Sequence, residues 1–319
     1  MTAETRSVVC LGGANVDRKL RVAAPVRPGS SNPATARETF GGVARNVAEN
    51  LARCGVPVQL LAAVGQDAAG RALLDDAAQA GIDVHAVQVI GEALTGSYTA
   101  VLDRDGSLFV ALADMDLCEQ LTPDWLAQHA DVCRGAALVV ADLNLPATTL
   151  AALVTAAAEE GAPPLVLVAV SEAKMARLPP RLHGVRLLVL NRGELAAWAG
   201  TEALAPGVAR LQAAGVRDVV VTLGAAGLCH TTAAAGALVF LAAPAVPAEA
   251  VVDVTGAGDA LAAGLCHGLW SGAVADHGWS PVCARALARA AWTVQCAETV
   301  APDAGPFSSI SAFRFPLSN

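Results

Sequence analysis

Thr255, Gly256, Ala257, Gly258 and Asp259 stand between a short apolar run that ends at Asp253 and an alanine-rich, helix-favouring run that begins at Ala260. Small residues at the start of a helix leave backbone N–H groups free to converge. The helix dipole adds positive potential there, so an anion, above all phosphate, is the natural occupant. A carboxylate at such a place repels the anion unless it is there to take a proton from an attacking hydroxyl. The five residues therefore spell phosphoryl transfer, with Gly256, Ala257 and Gly258 as the anion hole and Asp259 as the general base. A Gly-rich turn with Asp259 as an ordinary N-cap satisfies the same short string, and the rest of the chain has to decide between the two.

Other polar clusters recur along the chain. The apolar run Ser7 to Leu11 ends in Gly12-Gly13-Ala14-Asn15-Val16-Asp17. Asn15 and Asp17 are two apart, so in extended backbone they face the same way and could grip sugar hydroxyls; a plain Asx turn is the other reading. Gly41 and Gly42 precede a helix with an apolar stripe through Val47 and Leu51 and a stop at Gly55, and Asn46 falls in its first turn. Asp114 and Asp116 flank Met115 behind a hairpin formed by 95–102 and 108–113 around an Asp-Gly turn. Asp142 and Asn144 end the run 138–144, and Ser171 and Lys174 follow the run 164–170. Asn191 and Glu194 are three apart at a helix start, where Glu194 could hold a magnesium-bound water or simply complete a capping box. Thr222, Gly224 and Gly227 follow the strand at 216–224, as a nucleotide's ribose or base would require.

Each cluster comes after a strand, and strands alternate with helices. That alternation predicts an α/β fold with a doubly wound, mostly parallel sheet flanked by helices, whose ligands bind outside the carboxyl ends of the strands. The hairpin predicts a small antiparallel β lid, with lid segments at about 16–40 and 94–117 inserted in a single domain over 1–319. Residues 18–40 are otherwise weakly patterned, with a turn at Ser30-Ser31-Asn32-Pro33. Agreement among so many clusters favours Asp259 as base over Asp259 as cap.

The bulk numbers narrow the class. A chain of 319 residues with 54% apolar content can build one large α/β core. A net charge of −8 and the lack of basic runs argue against a nucleic-acid surface. There is no pattern of a signal peptide and no apolar stretch long enough for a membrane span, so a cytoplasmic protein that binds no membrane is expected. The eight cysteines are scattered without metal-ligand spacing, as expected of reduced thiols.

These motifs resemble the ribokinase-like (PfkB) family of sugar and nucleoside kinases over nearly the whole chain: GGANVD at the N-terminus, GGVARN at 41–46, NRGE at 191–194 and VDVTGAGDA at 252–260. Three strings resemble the branch of that family that acts on pseudouridine: Ser31-Asn32-Pro33, Gly41 to Asn46 followed by ENLARCG, and Val110 to Asp116. The resemblance implies ATP-dependent phosphorylation of the ribose 5′-hydroxyl of pseudouridine, or else of another nucleoside or furanose. A non-catalytic nucleoside sensor is the reading from another class. Asn15, Asp17, Gly41, Gly42 and Asn46 would hold the ribose, and Ser31, Asp114, Asp116 and Lys174 would read the base. Asn191, Thr222, Gly224 and Gly227 would serve ATP, Glu194 magnesium through water, and Asp253 and Thr255 a potassium ion. A homodimer through the lid is also implied. One departure is Ala169, where many relatives carry an aspartate.

Overall fold

The computed structural model describes residues 6–232 and 237–303. The expected domain over 1–319 also takes in 1–5, 233–236 and 304–319, which lie outside the described residues. In chain order the strands are β1 (Val8–Leu11), β2 (Asn15–Val22), β3 (Ala34–Gly41), β4 (Val58–Leu61), β5 (Ala63–Gly65), β6 (Ile82–Asp83), β7 (Gln88–Ile90) and β8 (Ser97–Leu102). They continue with β9 (Leu108–Asp114), β10 (Leu138–Asp142), β11 (Leu165–Val168), β12 (Val185–Asn191), β13 (Asp218–Thr222), β14 (Leu228–Thr232) and β15 (Val239–Leu241).

Nine of these form one sheet in the order β15-β14-β13-β12-β11-β10-β1-β4-β6. From β13 to β6 every pairing is parallel, and only the β14 and β15 edge runs antiparallel. Parallel strands covered on both faces need apolar residues at consecutive positions. β1 shows this: Val8 and Cys10 join one buried cluster while Val9 and Leu11 join the other. Helices Val43–Arg53, Ala257–Trp270 and Trp279–Thr293 pack over the first face through Val47, Leu51, Leu261, Leu265, Val282 and Ala286. Each such buried leucine or valine contributes roughly 1.5–3 kcal/mol. Among the described residues, no helix is long and apolar enough to cross a membrane. All eight cysteines are free.

The smaller antiparallel sheet is present. Its hairpins β2–β3 and β8–β9 are each antiparallel and join through one parallel pairing between β2 and β8. Residues 18–40, weakly patterned in the sequence, contain most of two eight-residue strands and the loop 23–33 between them. Their side chains are largely exposed, so no apolar alternation marks them. The apolar run 58–64 forms two strands broken at Ala62, because β5 leaves the main sheet to pair with β7.

Candidate active site

The helix Ala257–Trp270 begins three residues before the alanine run, with Gly256 as its N-cap. Gly256 has φ 82°, and a Cβ there would stand 2.0 Å from the Thr299 carbonyl oxygen, so only glycine fits this turn. The first intrahelical bond runs from Ala260 N to Gly256 O at 2.8 Å. The N–H groups of Gly258 and Asp259 precede it and belong to the turn whose donors point off the helix end. Ala257 N makes a long 3.4 Å bond to Val254 O. A Cβ on Gly258 would meet nothing within 4 Å, because that position faces an open cleft.

Asp259 sits one residue further on and points to the other side. Its Oδ2 accepts a hydrogen bond from Asn46 Nδ2 at 2.8 Å. Part of its surface is open, yet the surrounding protein desolvates the carboxyl and raises its pKa to about 7. The Asn46 bond works against that rise, and the nearby Asp142 and Asp17 charges add to it. The Asn46 amide is itself oriented, since Arg45 Nη1 donates to its Oδ1 at 3.2 Å. Arg45 is almost fully buried and held by Glu49 at 2.7 Å, by Asp76 and by the Phe40 carbonyl at 3.2 Å.

On the same side, Asn15 Nδ2 donates to Asp17 Oδ1 at 2.7 Å, and both are buried at the base of the smaller sheet. Burial raises the Asp17 pKa against the pull of Asn15, Lys19 and Arg45. Gly41 lies so close beneath that a Cβ would fall 2.1 Å from Asp17 Oδ2, and Gly42, at φ 98°, abuts the Gly13 carbonyl. Asp142, closed off from solvent at the end of β10, accepts from Gly13 N at 2.9 Å, Ala44 N at 2.8 Å and Asn144 N at 2.8 Å. It ties the loop after β1 to the start of helix Val43–Arg53. Lys174 Nζ donates to Asn144 Oδ1 at 2.5 Å, with its pKa lowered by burial. Met115 lies against Gly13 and Gly96, which sets the exposed Asp114 and Asp116 at the rim. Ser31 lies in the loop between β2 and β3, whose near ends Val22 and Ala34 are seven strand positions, roughly 23 Å, from the Asn15 and Gly41 ends.

Beyond the glycine turn, a cleft of about 610 Å³ is lined by Thr222, Gly224, Gly227, Val254, Gly258 and Leu287. Val251 and Val254, 40% and 70% exposed, present their apolar surface to it. Asn191, paired in register with Thr222, and Glu194 form a complete capping box at 2.9 and 2.7 Å.

Comparison with known proteins identifies the family. The model of the pfkB family carbohydrate kinases matches residues 5–304. The chain belongs to the PfkB family. It is a phosphotransferase that acts on a sugar or nucleoside hydroxyl. A pseudouridine kinase of Escherichia coli strain K12 is 34% identical over 264 residues, spanning 81% of this chain and 82% of that protein. A carbohydrate kinase from Agrobacterium tumefaciens is 34% identical, with a TM-score of 0.78 over 94% of this chain and 95% of the other. The ribokinase of Arabidopsis thaliana complexed with ribose and ATP shares the fold, with a TM-score of 0.77 at 21% identity over 95% and 97% of the two chains.

In this PfkB kinase the oxygens expected to hold potassium are already engaged. Lys19 Nζ pairs with Asp253 Oδ2 and donates to Thr255 Oγ1 at 2.8 Å, while Asp253 Oδ1 accepts from Thr255 N at 2.9 Å. A potassium ion does not fit that set. Period-two alternation along β2 puts Asn15, Asp17 and Lys19 on one side of the strand, a signal that sequence reading missed. The magnesium expectation meets a different arrangement. Glu194 is buried and its pKa is raised, first by desolvation and also by the charge of Glu172. Glu172 lies three residues past Ala169, with Oε1 close over Gly193. Two facing carboxylates suit a hard dication through water. Asp142, Asn144 and Arg45 were also missed as site-builders, though Asp142 and Asn144 stood out as polar strand-end residues.

Proposed function

We propose that this kinase transfers the γ-phosphoryl group of ATP to the ribose 5′-hydroxyl of pseudouridine. The observation that carries the proposal is the placement of Asp259, bonded to Asn46 on the polar side and one residue past Gly258 on the cleft side. Asn15, Asp17 and the close-lying Gly41 and Gly42 would hold the ribose, and the cleft would take the nucleotide. Asp259 accepts the 5′-hydroxyl proton as that oxygen bonds to the γ-phosphorus. The bond from phosphorus to the bridging oxygen breaks, ADP leaves, and Asp259 later releases the proton to water. Backbone N–H groups at the Gly256–Gly258 turn would stabilise the charge on the transferring group, as in phosphoryl transfer generally. Magnesium bound with ATP would neutralise phosphate charge, with Glu194 and Glu172 holding its waters. Asn191, at the cap beside them, and Thr222 would face the nucleotide.

The pseudouridine assignment draws on the 34% identical relative and on the lid rim. Asp114, Asp116, Lys174 and Asn144 offer acceptors and a donor to a base, and the ring N–H that uridine lacks would discriminate by roughly 1–3 kcal/mol where a buried acceptor meets it. Ser31 would not read the base from its place in the same chain. Val110 and Leu112 share one face of the edge strand β9 at 40% and 64% exposure, and this pair supports a homodimer through the lid.

The test is ADP release with ATP and magnesium, comparing pseudouridine, uridine, adenosine, ribose and fructose 6-phosphate. Preference for pseudouridine is expected. Faster turnover of another acceptor would overturn the base reading and keep the Asp259 chemistry. Nucleoside binding without turnover would identify a sensor.

A further inference from the structure

The Lys19 side chain reaches from β2 in the smaller sheet to the loop ahead of the glycine turn. That loop is otherwise held by backbone: Val252 N and Asp253 N both donate to Val294 O, at 2.8 and 3.3 Å. The Asp253 carboxylate has both oxygens committed, one to Thr255 N and one to the Lys19 ammonium. The Thr255 hydroxyl is the ammonium's second acceptor, and Gly256 follows directly. Asp253 and Lys19 are about a quarter and a fifth exposed, so the pair is only partly screened by water. Asp17 is the other carboxylate that feels this cation, and it also feels Asp253. Lys19 thus stands between two acids that would otherwise repel each other across the mouth of the site.

We infer that the Lys19 ammonium is this kinase's built-in monovalent cation, filling the Asp253–Thr255 oxygen set and fixing the loop that carries the glycine turn, so that turnover needs no added potassium. Lys19 touches neither reactant in this inference; it is a positioning residue. The inference rests on the kinase reading for its rate measurement, but not for its unfolding measurement.

The experiment compares wild type, Lys19→Met and Lys19→Arg in potassium, ammonium, sodium and choline chlorides at equal ionic strength. Initial rates and thermal unfolding midpoints are measured in each salt. Wild-type rates are expected to agree within about twofold in all four salts. Lys19→Met should lose at least tenfold in choline chloride and recover several-fold in potassium or ammonium. Its midpoint should rise in potassium relative to choline, and that of wild type should not. Lys19→Arg should keep most of the rate. Wild type activated more than fivefold by potassium would overturn the inference. So would a Lys19→Met protein that is fully active, or one that is impaired yet indifferent to the cation in both measurements. If no acceptor is turned over by wild type, the kinase reading fails, and the salt dependence of the unfolding midpoints still decides the role of Lys19.

Discussion

Asp259 is the residue on which the chemistry turns, and its environment makes two predictions of opposite sign. A base titrating near 7 is active only when deprotonated, so kcat/KM should rise with pH through an acid limb near 7. Asp259→Asn should keep nucleotide binding and lose about 100- to 10,000-fold in turnover; near-normal turnover would remove Asp259 as base. Stability runs the other way. The folded value of about 7 lies above the ordinary 3.8, so the native state still holds a proton that the unfolded chain has released. Stability therefore falls as pH rises between about 4 and 7, and the cost of a desolvated charge persists above that window. At pH 8 Asp259→Asn should unfold at a higher temperature than wild type, by on the order of 1–3 kcal/mol in stability. The gain should vanish near pH 4; equal midpoints at pH 8 would contradict the desolvated carboxyl.

At the scale of the element, the start of helix Ala257–Trp270 separates two roles for glycine. Gly256 is required by the fold: its left-handed backbone and the Thr299 carbonyl at 2.0 Å from a would-be Cβ leave no room. Gly256→Ala should cost roughly 1–3 kcal/mol or more in unfolding free energy. Gly258 is not so required, since a Cβ there meets no protein atom within 4 Å. Gly258→Ala should leave the unfolding midpoint within a degree or two and raise the KM for ATP, because the methyl group enters the cleft. A KM unchanged for ATP would show that the cleft is not where the phosphates lie. Glu194 and Asn191 show how one element serves two ends. Their capping box spends one oxygen of each side chain on the helix start and leaves the second Glu194 oxygen uncommitted by that box.

At the scale of the whole molecule, two sheets meet at the site, and the smaller one carries the exposed apolar pair. Val110→Glu with Leu112→Glu is expected to convert a dimer to a monomer in sedimentation velocity while leaving the unfolding midpoint of the main sheet unchanged. A monomeric wild type would overturn the lid-mediated dimer. The sequence by itself determined the parallel sheet, because strands buried on both faces must be apolar at consecutive positions, as in Val8–Leu11 and the Val219, Val220 and Val221 run. It also determined the glycine turn before a helix, because backbone freedom and N–H convergence are local properties. What it left undecided were contacts between residues far apart in the chain. The tertiary structure alone set Asn46 against Asp259 rather than free for a ligand, tied the loop after β1 to the start of helix Val43–Arg53 through Asp142, and placed Ser31 in the loop between β2 and β3. It also gave the Asp253 and Thr255 oxygens to Lys19, 234 residues away from Asp253 along the chain. Hydrogen-bond partners and desolvation depend on which surfaces the sheet order brings together, and no local string encodes that.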